Sequence, residues 1–381
     1  MRFFKHNQWL LLILGAAFLF DLVFFFLIYP ALPSLFDGSG SDSLLSKLVH
    51  VAYPRFEVER HRFPAEFFIQ KAEQVCWRFN LSALLLALFF YLPQKFPSLK
   101  KKAGKWWNGD TSVANVHFLR IVFFLAMLGF TFDWYTYLNE YGAASAFYKP
   151  VLLFKLLHLP YPSPIYIKVW WVVYWLAILL TFLDIKSWVS SSVAAGLFFL
   201  FHGYLQSFEK ISHAYAAFGY AAMLMPFLFF QQKKAVASGE KIQEGWALKL
   251  IQLAIVFAYF FAGLEKVLTS GVDWLDGSSI LHYAQSHGTS YGENSFLNSL
   301  LNPLMAMGAV ALQLTFPVIL VFPRLRYFYL PFGAMFHIGT VLTVGVGSFV
   351  NPWVFCYLFF FDWSRVGIFW LFWREEKGAK G

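Results

Sequence analysis

An ionisable pair, Glu265 and Lys266, closes a long apolar run that begins at Ile251. Charged side chains are costly inside a membrane helix unless they face protein or water, so such a pair is a candidate functional site. A lysine in a desolvated pocket loses part of its preference for the charged form and can act as a base near neutral pH. Lys266 is therefore a candidate for proton abstraction. The alternative is an interfacial lysine whose ammonium reaches toward the membrane surface.

The same run carries a polar stripe at helical spacing. Residues three, four and seven apart share one face of an α-helix, and Gln252, Tyr259, Gly263 and Lys266 follow this spacing closely. Beyond the run, Trp274 lies in a turn rich in Asp and Gly. The stripe predicts that Tyr259 and Lys266 face the same part of the fold.

Three histidines lie in other apolar runs: His202, His213 and His337. Each is compatible with catalysis or with a hydrogen-bonded structural role, and haem ligation by one of them is a further alternative. No H-x-x-x-H or H-E-x-x-H pattern occurs, so no metal site is predicted. Cys76 and Cys356 are far apart in the sequence, which favours neither a disulfide framework nor a cysteine metal site.

Composition indicates the kind of fold that must position these residues. Of the 381 residues, 59% are hydrophobic and only 13% are charged, which is typical of a polytopic membrane protein. With spans of about 20 residues as the template, the sequence predicts an all-α transmembrane bundle of about ten helices. The candidate helices cover residues 9–29, 75–92, 116–138, 165–184, 188–206, 212–231, 246–268, 303–322, 327–347 and 350–371.

The distribution of basic residues predicts the orientation of these helices. The formal net charge is +9, and Lys and Arg concentrate in the loops on the side that holds the N-terminus. By the positive-inside rule, both termini are cytoplasmic. The basic residues are thus explained by topology, and nucleic acid is not an expected partner. The longer segments 30–74, 139–164 and 269–302 are expected on the outer side. Short loops and the lack of eukaryote-type signals favour a bacterial inner membrane.

Four stretches resemble a known family. The region 255–287 reads IVFAYFFAGLEKVLTSGVDWLDGSSILHYAQSH and resembles the central motif of the HTTM family, the membrane domain shared by vitamin K-dependent γ-glutamyl carboxylase and many bacterial proteins. Residues 118–134, 212–227 and 336–349 resemble its Arg-containing, His-containing and late His helices, in the family's order. The resemblance spans about residues 114–372.

The basic inner run 94–110 predicts a division of the chain between two N-terminal helices and an eight-helix remainder. The resemblance adds the family of that remainder and a type of reaction. Residues 1–110 would form an N-terminal two-helix membrane segment with an outer loop and a basic cytoplasmic loop, and residues 111–381 an eight-helix HTTM-like domain. In the carboxylase, a lysine is regarded as the base that deprotonates vitamin K hydroquinone, and Lys266 matches it. His213 matches a histidine implicated in the same step. The implied activity is carboxylase- or oxygenase-like, with a quinol as co-substrate.

The remaining matched positions are assigned to the quinone pocket. Tyr259, Trp274 and His337 match the family by position and would shape or support the pocket. Glu265 differs, because the carboxylase has a second lysine at its position. A carboxylate beside the proposed base favours the protonated lysine and opposes base catalysis.

Two function classes are open at this point. The first is an enzyme that acts on a quinol or another lipid-soluble substrate at the outer side of the membrane. The second is a non-catalytic subunit of an inner-membrane complex that binds a quinone, a lipid or a protein. The expected partners are membrane lipid and a periplasmic or membrane protein.

Overall fold

The fold was analysed in a computed structural model. The structure describes residues 8–36, 43–52, 56–107, 109–208, 213–238, 245–271 and 273–365. Across these ranges the chain is helical and forms no strand, which confirms the all-α prediction. The chain divides into two compact units, Met1–Gly104 and Lys105–Gly381. The predicted functional division at residue 110 stays a prediction.

Six of the helical segments in the described ranges are long and apolar enough to cross a membrane. They are Leu10–Ala31, Val113–Ala143, Pro164–Phe182, Ser187–Gln206, Trp246–Ser270 and Pro323–Val344. These six match six of the ten predicted spans, because long apolar runs without charge identify membrane helices directly. The structure therefore supports a multi-pass helical membrane protein, while the number ten is not confirmed.

The smaller unit is built on two long helices. Helix α1 covers Gln8–Val23 and continues through a π-helical turn at Phe24–Ile28. It packs against a later helix of 31 residues, which contains the predicted span 75–92. At this contact the Asn80 side chain donates a 2.6 Å hydrogen bond to Asp21. This 31-residue helix is α3 (Ala65–Lys95). Other helices of this part of the chain include α2 (Leu44–Ala52) and α4 (Pro97–Trp107), which ends three residues after the unit's last residue, Gly104.

The larger unit is a bundle with an aromatic core. Buried rings fill its interior, and the stacked pair Phe123 and Phe218, with centroids 4.4 Å apart, is one example. Its longer helices are α5 (Val113–Thr131), α6 (Trp134–Ala143), α7 (Pro164–Phe182), α8 (Ser187–Gln206), α9 (Ala216–Ser238), α10 (Trp246–Ser270), α11 (Ser278–Ser286), α12 (Ser295–Thr315) and α13 (Arg326–Gly339).

Two predicted spans differ from the structure. The prediction at 303–322 differs at its start and is interrupted near its end. Helix α12 covers Ser295–Thr315, and a short helix, Val318–Val321, follows the turn at Pro317, which cannot donate a backbone hydrogen bond. The predicted helix at 350–371 is not continuous over its described part. There the chain forms three short helical pieces, Pro352–Phe355, Cys356–Phe360 and Trp363–Arg365. Residues 366–371 lie outside the described ranges.

Side chains from the bundle explain why this last segment is broken. The Phe359 carbonyl accepts a 2.7 Å hydrogen bond from the Gln252 side chain, and the Phe360 carbonyl accepts a 2.9 Å bond from Arg326 Nη1. Carbonyls that continued an α-helix would instead accept bonds from backbone N–H groups four residues later. The segment is thus inserted into the bundle.

Candidate functional site

Lys266 is held inside the larger unit near the end of α10. Its ammonium donates two hydrogen bonds of 3.1 Å, one to the Ala262 carbonyl and one to the Gln313 side-chain oxygen. It also lies 5.3 Å from the centroid of the Trp274 ring, a distance typical of a cation–π contact. The predicted neighbours Lys266 and Trp274 are therefore brought together.

Close packing of α10 and α12 brings Gln313, the side chain that accepts a hydrogen bond from Lys266, into position. Gly263 lies one turn before Lys266, and a Cβ atom built on it would come within 2.8 Å of Gln313 Cβ and 3.0 Å of the Leu314 backbone nitrogen. Small residues allow helix backbones to approach closely in membranes. The glycine at this point lets the Gln313 side chain reach Lys266.

A cavity of about 740 Å³ adjoins the ammonium. The turn after α10, together with α11, α12 and α13, forms its walls. Two of its lining residues, Leu304 and Met335, are 58% and 61% exposed, so the cavity reaches the protein surface. Most lining side chains are apolar, and Lys266 is the only charged residue among them. The lining residues are Lys266, Trp274, Ser279, Ile280, Tyr283, Leu301, Leu304, Met305, Gly308, Ala309, Leu312, Phe332, Met335, Phe336, Gly339, Thr340, Thr343 and Val344.

A second polar cluster lies deeper along α10. The Tyr259 hydroxyl is 2.5 Å from His337 Nε2 and 2.6 Å from the Tyr357 hydroxyl. The Tyr259 ring stacks on Phe316, with centroids 4.2 Å apart. Tyr259 and His337 are thus hydrogen-bonded partners, but neither is among the residues that line the cavity. Their predicted support of a pocket stays a prediction.

Two predicted site residues, His213 and Glu265, lie outside the cavity lining. The His213 side chain is exposed, its backbone carbonyl accepts a 3.2 Å hydrogen bond from Trp353 Nε1, and its ring is 6.4 Å from the Trp353 ring. Glu265 is also exposed. Neither residue lines the cavity with Lys266. Their proposed roles beside Lys266 stay predictions.

The structure adds two residues that the sequence did not single out. Gln313 bonds directly to Lys266, and Tyr357 completes the hydroxyl pair with Tyr259. An amide inside the apolar run 303–322 was a visible signal for Gln313, because an isolated polar residue in a membrane helix needs a partner. Tyr357 gave no comparable signal, since it lies in an aromatic-rich segment.

The turn that carries Trp274 lies outside the membrane helices and contains a carboxyl group with a shifted pKa, that of Asp276. The Ser278 backbone N–H donates a 2.7 Å hydrogen bond to the Asp276 carboxylate, which lowers the pKa of that carboxyl below its usual value. Asp276 is therefore an anion at neutral pH. In the described part of the chain, no three His, Cys, Asp or Glu side chains are grouped as metal ligands.

Comparisons with protein-family models, with curated proteins and with solved structures found no match to this chain. The HTTM resemblance, and the quinone and carboxylase chemistry that it implies, stay predictions.

Proposed function

We propose that this protein is a multi-pass membrane protein of the HTTM type that binds a quinol or a similar lipid-soluble substrate beside Lys266. In this proposal Lys266 is the base, and the site faces the outer side of a bacterial inner membrane. The observation that carries the proposal is the apolar cavity with a single ammonium in its wall.

The cavity suits such a ligand in size and chemistry. Pockets for small molecules commonly enclose about 300–1,000 Å³ and combine apolar walls with a few polar groups, and this one encloses about 740 Å³. A quinone ring and its prenyl tail are apolar, while the ring oxygens need a polar partner. Lys266 and Trp274 would hold the oxygen-bearing end. A bound quinol would supply an acidic hydroxyl and two-electron redox chemistry.

The hydrogen bonds of Lys266 are compatible with a role as base. A neutral amine would donate its hydrogens to Ala262 and Gln313 and keep its lone pair free to accept a proton. After proton transfer, the third hydrogen of the ammonium would be available to the ligand oxygen. The side chain therefore needs no rearrangement between its two protonation states.

The second candidate function is a non-catalytic subunit that binds a quinone, a lipid or a protein partner. The exposed carboxylate of Glu265, next in sequence to Lys266, favours this alternative, because a nearby anion stabilises the protonated lysine. Both candidates use the same cavity, so its occupant is the first thing to identify.

Co-purifying molecules test the proposal. We would extract the purified protein with organic solvent and identify bound molecules by mass spectrometry, for wild type, Lys266→Ala and Gly308→Phe. Gly308 lines the cavity, and open space surrounds a Cβ atom built on it, so the new ring would fill the cavity. Gly196→Phe is the matched control, because this exposed glycine on α8 also has open space.

A quinone retained by wild type and by Gly196→Phe, and lost from the other two variants, would support the proposal. Bulk phospholipid alone in all four proteins would contradict quinone binding and favour the subunit function. Activity is a separate question, answered by oxygen consumption with a reduced quinol. Unchanged activity in a folded Lys266→Ala variant would rule out the base role.

A further inference from the structure

The Lys266 side chain is held away from the end of its helix. It lies only four positions before the last residue of α10, Ser270, an axial distance of about 6 Å. A lysine so near a membrane helix end ordinarily extends its ammonium to the interface. Here the ammonium instead bonds back to Ala262 and across to Gln313.

Gln313 is itself fixed in place. It is only 4% exposed, and its Cβ lies against Gly263, where α10 and α12 pack closely. A buried side chain in a packed helix contact has few alternative rotamers. Its amide oxygen is therefore a fixed acceptor in front of the ammonium.

The chemistry of this acceptor matters as much as its position. An amide oxygen accepts a hydrogen bond without carrying charge, whereas a carboxylate would form an ion pair with the lysine. The second acceptor, the Ala262 carbonyl, is also neutral. The two acceptors orient Lys266 and add no negative charge of their own. The Glu265 carboxylate, next in sequence, offsets part of the lysine charge, but it is exposed and does not line the cavity. An ammonium beside an apolar cavity therefore still attracts an anion, because the local dielectric is low.

We propose that Gln313 is a positioning residue that keeps the Lys266 ammonium at the cavity wall and makes the cavity selective for lipid-soluble ligands with an ionised oxygen. This inference rests on the proposed function and defines its ligand class more narrowly, because an ionised oxygen beside the Lys266 ammonium is the state that follows proton transfer from a quinol. Ligands of the same shape that cannot ionise bind more weakly.

Two matched probes test this selectivity. The first is 2-hydroxy-1,4-naphthoquinone with an alkyl tail at the 3-position, whose hydroxyl is ionised at neutral pH. The second is its 2-methoxy analogue, which cannot ionise. Binding of each is measured on the full-length protein in detergent, by quenching of tryptophan fluorescence. The readout is the ratio of the two affinities. A general loss of packing would weaken the binding of both probes and leave this ratio unchanged.

The variants are Gln313→Leu, which removes the acceptor, and Gln313→Glu, which adds a competing carboxylate. The matched control is Gln252→Leu. Gln252 is also a buried membrane-helix amide, on α10, but it donates its hydrogen bond to the Phe359 carbonyl rather than accepting one from Lys266. We expect wild type and Gln252→Leu to prefer the ionised probe by about tenfold or more, the value of one charge-assisted hydrogen bond. Both Gln313 variants should bind the two probes about equally.

Each other outcome has a defined meaning. A wild-type preference that persists in folded Gln313 variants overturns the positioning role. Equal binding of the two probes by wild type overturns the selectivity for ionised ligands. Failure of wild type to bind either probe overturns the proposed quinone site and this inference with it. If Gln313→Leu does not fold, the result is decided by Gln313→Glu. If neither variant folds, Gln313→Asn replaces them, because it keeps the amide group but is too short to hold the ammonium in the same place.

Discussion

At the scale of single residues, Arg120 places a buried charge in the larger unit. It is completely buried on α5, it forms an ion pair with Asp184, and its guanidinium lies 2.7 Å from His117 Nδ1. Asp184 lies in the turn between α7 and α8, has a left-handed backbone (φ 61°) and is 50% exposed. Arg120 therefore connects the middle of α5 to the turn between α7 and α8.

The unequal burial of the two charges predicts unequal effects of removing them. Asp184→Asn leaves a buried guanidinium without its counter-ion, whereas Arg120→Met leaves a carboxylate that water can reach. We expect Asp184→Asn to lower the free energy of unfolding more than Arg120→Met does. Because Asp184 is half exposed, the loss caused by Asp184→Asn should stay below the ~3–5 kcal/mol typical of breaking a fully buried pair. Asn is the suitable replacement because it tolerates left-handed backbone.

Thermal unfolding in detergent measures this difference, with Lys186→Asn as the control for an exposed charge in the same left-handed turn. Greater destabilisation by Arg120→Met would mean that the arginine contributes through packing rather than through its charge.

At the scale of elements, the contact between α10 and α12 determines the site. The Gly263→Ala variant adds a methyl group where its Cβ would lie 2.8 Å from Gln313 Cβ. Overpacking of this kind costs about 1–3 kcal/mol, and the helices must separate to relieve it. We expect lower thermal stability and weaker retention of any quinone, because Gln313 moves away from Lys266.

The comparison variant is Gly196→Ala, in which the added methyl group meets open space. Its ligand content should equal that of wild type. Its unfolding temperature should be equal or slightly higher, because Ala is more stable than Gly in a helix interior by about 0.5–1 kcal/mol. Equal values for Gly263→Ala as well would show that the contact between α10 and α12 adapts without cost.

The same elements show what the sequence could and could not predict. Long apolar runs predicted the membrane helices, and the polar stripe predicted that Tyr259 and Lys266 lie along one face of α10. The partners of those residues come from α12, α13 and the segment after Asn351, so no local spacing could identify Gln313 or Tyr357. The broken helix after Asn351 was missed for a similar reason. Its carbonyls bind Gln252 and Arg326, and such contacts exist only in the folded bundle.

At the scale of the whole molecule, the proposed function depends on which way the bundle crosses the membrane. The basic loops predict that α11, which forms part of the cavity wall, lies on the outer side and that the loop before α13 is cytoplasmic. Ser286 at the end of α11 and Arg324 before α13 are both exposed. They are suitable positions for introduced cysteines, because the native Cys76 and Cys356 are buried.

We expect a membrane-impermeant maleimide to label Ser286→Cys in intact spheroplasts and Arg324→Cys only after permeabilisation. The wild-type chain, with its buried thiols, is the labelling control. The reverse pattern would place the Lys266 end of the cavity at the cytoplasmic face, where a periplasmic partner could not reach it. Orientation thus decides which compartment exchanges protons with Lys266, and with it which protein partners can act at the site.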